Sequence, residues 1–152
     1  MDRVSPEVRS KIMAAVRSRG NRSTEQRMEK LLRQLRLSGY HRQWPVMGKP
    51  DFAWPKLKVA LFIDGCWWHG CPRCKRCKKP SKSNAAFWQA KVASNQRRDA
   101  RVSRRLRYEG WKVLRVWECV IDHQRTISRL SRTLGTSRSN TANSHGAETR
   151  RT

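Results

Sequence analysis

Two carboxylates stand close together in the middle of the chain. Asp51 lies in Gly48-Lys49-Pro50-Asp51-Phe52, and Asp64 lies in Phe62-Ile63-Asp64-Gly65-Cys66-Trp67-Trp68-His69-Gly70-Cys71. An Asp that opens one strand and an Asp that closes the next are expected side by side at one sheet edge. Carboxylate oxygens suit Mg²⁺, which keeps several waters and favours one or two carboxylates together with a phosphate. His69 follows at once, and an imidazole titrates near neutral pH, where it can move a proton. Its neighbours Cys66 and Cys71 also allow it to be a zinc ligand. Asp before a strand is a common turn residue and Asp-Gly a common turn dipeptide, so each acid has a plain structural reading as well.

The charge names the partner. Thirty-five Lys and Arg against eleven Asp and Glu give a formal charge of +24 over 152 residues. Self-repulsion on that scale points to a polyanion, first of all nucleic acid. An anionic membrane surface is the rival, but no long amphipathic apolar helix supports it. No apolar run approaches the ~20 residues of a membrane span, and no signal-peptide core opens the chain, so a soluble cytoplasmic protein is expected. In a reducing compartment the cluster Cys66, Cys71, Cys74 and Cys77, with Cys119 far off, reads as a metal site and not as a disulfide framework. The spacing Cys66-x₄-Cys71-x₂-Cys74 with a distant Cys also matches plant-type [2Fe–2S] ferredoxins. The +24 charge and Pro50-Asp51 fit that reading poorly.

One domain is expected at this length. Residues 1–21 form a basic arm in which Arg3, Arg9, Lys11, Arg17 and Arg19 would track phosphates or the minor groove. Ser23 or Thr24 is expected to cap a helix reaching about Leu37, with Met28, Leu31, Leu32 and Leu35 as its buried stripe. Glu25 opens that helix on the same side, as an ordinary first-turn acid or as part of the site. Short strands are expected at 44–47 and 51–54, and an apolar strand, covered on both faces, at 57–63. A loop should fill 66–82. Asn84 should cap a long helix ended by Gly110, with Trp88, Val92, Val102 and Leu106 inward. Its Arg97, Arg98, Arg101, Arg104 and Arg105 are either phosphate contacts or a solvated face. A last strand is expected over 111–120, and the polar stretch 135–152 reads as a disordered basic tail beyond a domain at 22–134. Trp44, Trp54, Trp111 and Trp117 are expected in the core.

Taken in order, Arg9-Ser10-Lys11-Ile12-Met13, Ser23-Thr24-Glu25, Pro50-Asp51-Phe52, Asp64 to Cys71, Phe87-Trp88, Gly110-Trp111-Lys112-Val113-Leu114 and Val116-Trp117-Glu118-Cys119 form a specific series. From about Ser5 to Val120 the chain resembles the very-short-patch repair endonucleases, which nick DNA at T:G mismatches. The resemblance implies a restriction-endonuclease-like α/β core, a central mixed sheet flanked by helices, with a structural zinc site. It implies Mg²⁺-dependent nicking of duplex DNA 5′ to the mismatched thymine, which begins repair of deaminated 5-methylcytosine. A cytosine-5 DNA methyltransferase is then the functional companion, and a monomer the working unit.

The same resemblance makes Asp51, Asp64, His69 and Glu25 catalytic, with Asp51 on Mg²⁺, and Cys66, Cys71, Cys74 and Cys119 the zinc ligands, Cys77 being spare or competing with Cys74. Trp67, Trp68 and Trp88 become wedges beside the mismatch, and Lys11, Arg17 and Arg19 contacts to DNA. The chain departs from the family's pattern in places. Position 64 carries His in some members, Trp67 stands where Phe is common, and Ile63-Asp64-Gly65 lacks the Lys of the wider superfamily's acid-x-Lys signature. Two other readings stand beside this one: a restriction-type nuclease of the same fold with other specificity, and a non-catalytic zinc-stabilised DNA-binding protein.

Overall fold

A computed structural model describes Val8 and residues 22–74 and 84–135. Arg3, Arg9, Lys11, Arg17, Arg19, Cys77 and, apart from Gly135, the expected tail at 135–152 lie outside the described residues. Three strands form one mixed sheet in the order β1 (Phe52–Trp54), β2 (Val59–Asp64), β3 (Lys112–Trp117). β1 and β2 are antiparallel with Phe52 opposite Leu61. β2 and β3 are parallel with Asp64 beside Trp117. Parallel neighbours need a long crossover, and the helix Ala85–Tyr108 lies within it.

Among the described residues, four α-helices flank the sheet: α1 (Arg27–Gln34), α2 (Cys66–His69), α3 (Ala85–Tyr108) and α4 (Gln124–Gly135). The period-2 alternation of the strands splits their side chains between two cores. Leu61, Leu114 and Val116 face one way and pack with Met28, Leu31 and Leu32 of α1 and Leu130 and Leu134 of α4. Ala60 and Phe62 face the other way and meet Val102 and Leu106 of α3. β2 is thus covered on both faces, as its apolar run implies. Asp64 and Arg115 continue the second face at its polar end.

Several elements differ from expectation. Residues 44–47 do not form a strand. Pro45 lacks a ladder donor, the chain turns through Val46 N–H to Trp44 O and Lys49 N–H to Val46 O, and the pairing with β1 is a bridge from His41 to Ala53. The first helix needs neither proposed cap, for a π-helical turn at Arg22–Gln26 precedes α1. β2 starts at Val59 because Pro55–Leu57 is a 3-10 turn closed by left-handed Lys58. Where a loop was expected, Cys66–His69 form one helical turn ended by left-handed Gly70. Asn84 is itself left-handed, with φ 55° and no side-chain capping bond. β3 stops at Trp117 and passes into a 3-10 turn, Glu118–Val120. Of the four tryptophans expected in the core, Trp54 is buried, while Trp44, Trp111 and Trp117 are half-buried.

Gly48 illustrates how the second core fixes the first acid. Its φ of +82° suits glycine, and a Cβ there would come within 2.4 Å of Val102 Cγ1. Only a residue without a side chain lets the turn lie against α3 and deliver Lys49-Pro50-Asp51 to the sheet.

Candidate active site

Antiparallel pairing brings the start of β1 and the end of β2 to the same end of the sheet. Asp51 and Asp64 therefore line one cavity of ≈ 760 Å³, together with Glu25, Trp68, His69 and Asp99. They meet where strands end, not along an outer edge, since β2 is the central strand. Asp51 Oδ2 accepts the Ile63 backbone N–H at 2.7 Å, which holds the carboxylate against the next strand.

Burial pushes the Asp51 carboxyl above its ordinary value of 3.8; the Ile63 N–H pulls it back, and the Asp64 charge pushes it further up. An acid whose folded pKa exceeds its unfolded one binds protons more readily when native. It therefore costs stability as pH rises from the unfolded value through the folded one, and the full cost is present above both. In protein that keeps its cysteine-bound metal but is given no Mg²⁺, Asp51→Asn should melt at a higher temperature than the parent at pH 7, with the gap closing as pH falls toward the unfolded value. Added Mg²⁺ should raise the melting temperature of the parent alone. A parent more stable than Asp51→Asn at pH 7 without Mg²⁺ would contradict this.

Asp64 is buried and bound by a guanidinium from β3. Arg115 Nε donates to Asp64 Oδ2 at 2.9 Å and Nη2 donates to Oδ1. His69 Nδ1 hydrogen-bonds Asp99 Oδ2 and lies 3.8 Å from Asp64 Oδ1. The imidazole is thereby turned toward the carboxylates and away from a thiol partnership. With Nδ1 committed to Asp99, Nε2 is the nitrogen left to take up a proton. Backbone anchors support this end of the site: Asn95 Nδ2 donates to Trp68 O at 2.8 Å and Gln96 Nε2 to His69 O at 3.0 Å. Glu25 is 3 % exposed. It lines the same cavity and is ion-paired with Arg42, which also lies 5.4 Å over the Phe52 ring.

The parallel register that sets Trp117 beside Asp64 carries Glu118 and Cys119 past the end of β2. Cys66 N–H donates to Glu118 Oε2 at 3.3 Å, and Cys71 Sγ lies 3.7 Å from Cys119 Sγ. The sulfurs of Cys66, Cys71, Cys74 and Cys119 all fall within 4.8 Å of one another. Zn–S bonds of ≈ 2.3 Å place tetrahedral sulfurs about 3.8 Å apart, so the donors and their spacing suit one tetrahedral ion. Burial pushes the Cys66 and Cys119 thiols above their ordinary range. A bound cation would offset that by favouring the thiolates.

Beside the cavity the aromatics form a partly exposed cluster. Trp88 meets Trp67, Trp68 and Phe87 edge-on at 6.3, 5.8 and 5.3 Å between ring centroids. Trp67 is 39 % and Phe87 59 % exposed. On α3, Arg97, Arg98, Arg101, Arg104 and Arg105 are exposed. Arg105 is engaged with Glu109 at 2.6 Å.

Asp99 and Arg115 are two charged residues of the site that the sequence reading passed over, as it did Arg42, Asn95 and Gln96. Asp99 sits three residues before Val102 and seven after Val92, a lone acid on the inward stripe of a helix whose outer face is Arg-rich. Arg115 is a lone cation inside Val113-Leu114-Arg115-Val116-Trp117. Each was visible as a charge out of place on an apolar pattern.

Carboxylates, an imidazole and exposed aromatics gathered at the end of a mixed sheet make a cleft suited to metal-assisted chemistry on a nucleic-acid phosphate. Comparison with known proteins agrees. Residues 1–78 match the family described as DNA mismatch endonuclease Vsr. The chain is 44% identical over 117 residues to the type II nicking enzyme V.NmeDIP of Neisseria meningitidis serogroup C, covering 77% of this chain and 78% of that protein. It is 40% identical over 123 residues to the type II nicking enzyme V.XorIIP of Xanthomonas oryzae pv. oryzae, covering 78% and 85%. To the DNA mismatch endonuclease Vsr of Escherichia coli K12 it is 35% identical over 113 residues, covering 74% and 70%. The chain belongs to the DNA mismatch endonuclease Vsr family, and is an endodeoxyribonuclease, a hydrolase. No helix among the described residues is long and apolar enough to cross a membrane.

Proposed function

We propose that this chain is a Mg²⁺-dependent endonuclease that nicks duplex DNA 5′ to the thymine of a T:G mismatch and so begins very short patch repair of deaminated 5-methylcytosine. The observation that carries this reading is a juxtaposition. The cavity holding Asp51, Asp64, His69 and Asp99 is lined by Trp68, which belongs to the partly exposed cluster with Trp67, Trp88 and Phe87. A base step opened by the aromatics would leave its phosphate at the acids.

Asp51 is the Mg²⁺ ligand, and its raised pKa fits a carboxylate built to meet a cation. Bound there, Mg²⁺ would supply charge neutralisation at the phosphate and lower the pKa of the attacking water. His69, oriented through Asp99, takes the proton of the attacking water at Nε2. Asp64 holds the position of Arg115 and of the His69 edge, and Glu25, set in the cavity wall, completes its acidic rim. Cys66, Cys71, Cys74 and Cys119 hold Zn²⁺ as a closed four-ligand site of structural type, which ties α2 to the end of β3. The architecture is of the restriction-endonuclease-like kind. The arm at 1–21, with Lys11, Arg17 and Arg19, adds phosphate contacts. The protein acts as a monomer in the cytoplasm, alongside a cytosine-5 DNA methyltransferase whose product deaminates to the mismatch.

Mismatch recognition by stacking has a direct test. Unstacking a base step costs a few kcal/mol, and least at a mispair. A stacked aromatic is worth roughly 1–3 kcal/mol per base, or about one to two decades in affinity. Trp68→Ala should therefore weaken binding to a T:G duplex by that factor and binding to a matched duplex by much less. An equal loss on both duplexes would make Trp68 a packing residue and remove it from recognition.

A further inference from the structure

Lys49 sits in a backbone conformation that its residue type resists. Its φ is +45°, in the left-handed region, where a Cβ crowds the carbonyl oxygen that follows and where glycine meets no such clash. Pro50 after it favours an extended backbone at this position instead. Among the described residues, Arg36, Gln43, Lys58 and Asn84 are also left-handed without being glycine. Arg36, Lys58 and Asn84 flank helices, whereas Gln43 and Lys49 line the cavity that holds Asp51, Asp64 and His69. The turn does not require the strain at 49. It is closed by Lys49 N–H donating to Val46 O at 3.0 Å, and its third residue, Gly48, already supplies the positive φ. Pro50, fully buried, then fixes the entry to β1.

The charges of the cavity single out the same residue. Among the described residues it is lined by four carboxylates, Glu25, Asp51, Asp64 and Asp99, and by Lys49, Arg98 and Arg115. Arg115 is held by Asp64 and Asp99, Arg98 lies 3.5 Å from Asp99 Oδ1, and Glu25 is paired with Arg42. Lys49 has no carboxylate partner among the described residues, and it is exposed. The guanidiniums are engaged with the acids. The ammonium, a point charge with three donors on a flexible stem, is open to an anion.

We propose that Lys49 is a catalytic residue, whose ammonium meets a non-bridging oxygen of the phosphate being cut and stabilises the charge that develops there during hydrolysis. This rests on the reading that the scissile phosphate enters the cleft at Asp51. A lysine kept where glycine would fit better is held for its side chain and not for its backbone, as strain at a functional position implies.

Three variants separate the charge from the backbone. On a duplex that the parent cuts, Lys49→Met should lose about a hundredfold in single-turnover nicking rate, and Lys49→Arg should stay within about tenfold of the parent. Lys49→Gly removes the strain together with the charge. It should melt no lower than the parent and lose as much activity as Lys49→Met. Binding reads the contact itself. Replacing the scissile phosphate with an uncharged methylphosphonate, without Mg²⁺, should weaken the parent about tenfold more than it weakens Lys49→Met. Nicking by Lys49→Met or Lys49→Gly within about threefold of the parent would overturn the inference. So would an arginine variant as impaired as the methionine one, or the same methylphosphonate factor in both proteins. Asp51→Ala, run in parallel, separates the underlying reading. If that variant still nicks, the phosphate is not cut at this cleft; if it does not, while Lys49→Met nicks freely, the inference about Lys49 fails alone.

Discussion

Asp51→Ala should lose at least about a thousandfold in nicking rate in Mg²⁺, or roughly 4 kcal/mol of transition-state stabilisation, while its affinity for mismatched duplex stays within a few fold of the parent. The split follows from where Asp51 sits. It lines the cavity beside Asp64 and His69, but it is a carboxylate on a chain of charge +24 and so makes no attractive contact to phosphate. Removing it takes away a cation ligand without touching the aromatic cluster. Single-turnover nicking and equilibrium binding on the same duplex measure the two halves. Asp51→Asn serves as the companion, because the amide oxygen can still accept the Ile63 N–H that anchors this corner. Nicking within tenfold of the parent in either variant would remove Asp51 from the chemistry.

The second large effect concerns the thiols. Replacing Cys71 or Cys119 with Ser should release the metal and leave a chain that does not hold its fold at 37 °C. Structural zinc in small peptides contributes about 10–16 kcal/mol of apparent binding energy at neutral pH, against a total stability of roughly 5–15 kcal/mol for a domain. The position of the cluster decides what is lost. Cys66 and Cys71 flank α2, which carries Trp67, Trp68 and His69, and Cys119 follows β3. Without the clamp, the turn that bears both the aromatics and the imidazole is released from the sheet. Metal content by elemental analysis should read about one zinc per parent chain and much less in each variant, with thermal unfolding tracking the loss. A brown protein with visible absorbance bands would place an iron–sulfur cluster there instead.

Much of this site could be seen in the chain before its fold was known, and the parts that could not share a physical reason. Asp51, Asp64 and His69 announce themselves through local context: a Pro-Asp at a strand start, an Asp-Gly at a strand end, an imidazole among thiols. The two cores were legible as well, because Met28, Leu31 and Leu32 keep helical spacing and 59–62 is a continuous apolar run. Asp99 and Arg115 are different. Their roles exist only once α3 is laid across β2 and β3, which brings residues 64, 69, 99 and 115 to one point. Periodicity assigns a face to each residue but not the partner opposite it. The helix Gln124–Gly135 also went unassigned, since its apolar stripe of Ile127, Leu130 and Leu134 is diluted by arginines and polar residues. The expected strand at 44–47 failed at Pro45, where turn chemistry outweighs β-propensity.

The central claim, cutting directed by a T:G mispair, is tested most directly by mapping nicks on a panel of end-labelled duplexes that differ in one base pair. The panel comprises the matched duplex, T:G and the other mispairs, each with both strands labelled, in Mg²⁺ and in chelator. The account predicts a single nick, 5′ to the thymine of T:G, on that strand alone, with the matched duplex and the chelated reaction left intact. Cutting of the matched duplex at a comparable rate, or of both strands at T:G, would contradict it and point to a restriction-type nuclease of the same fold.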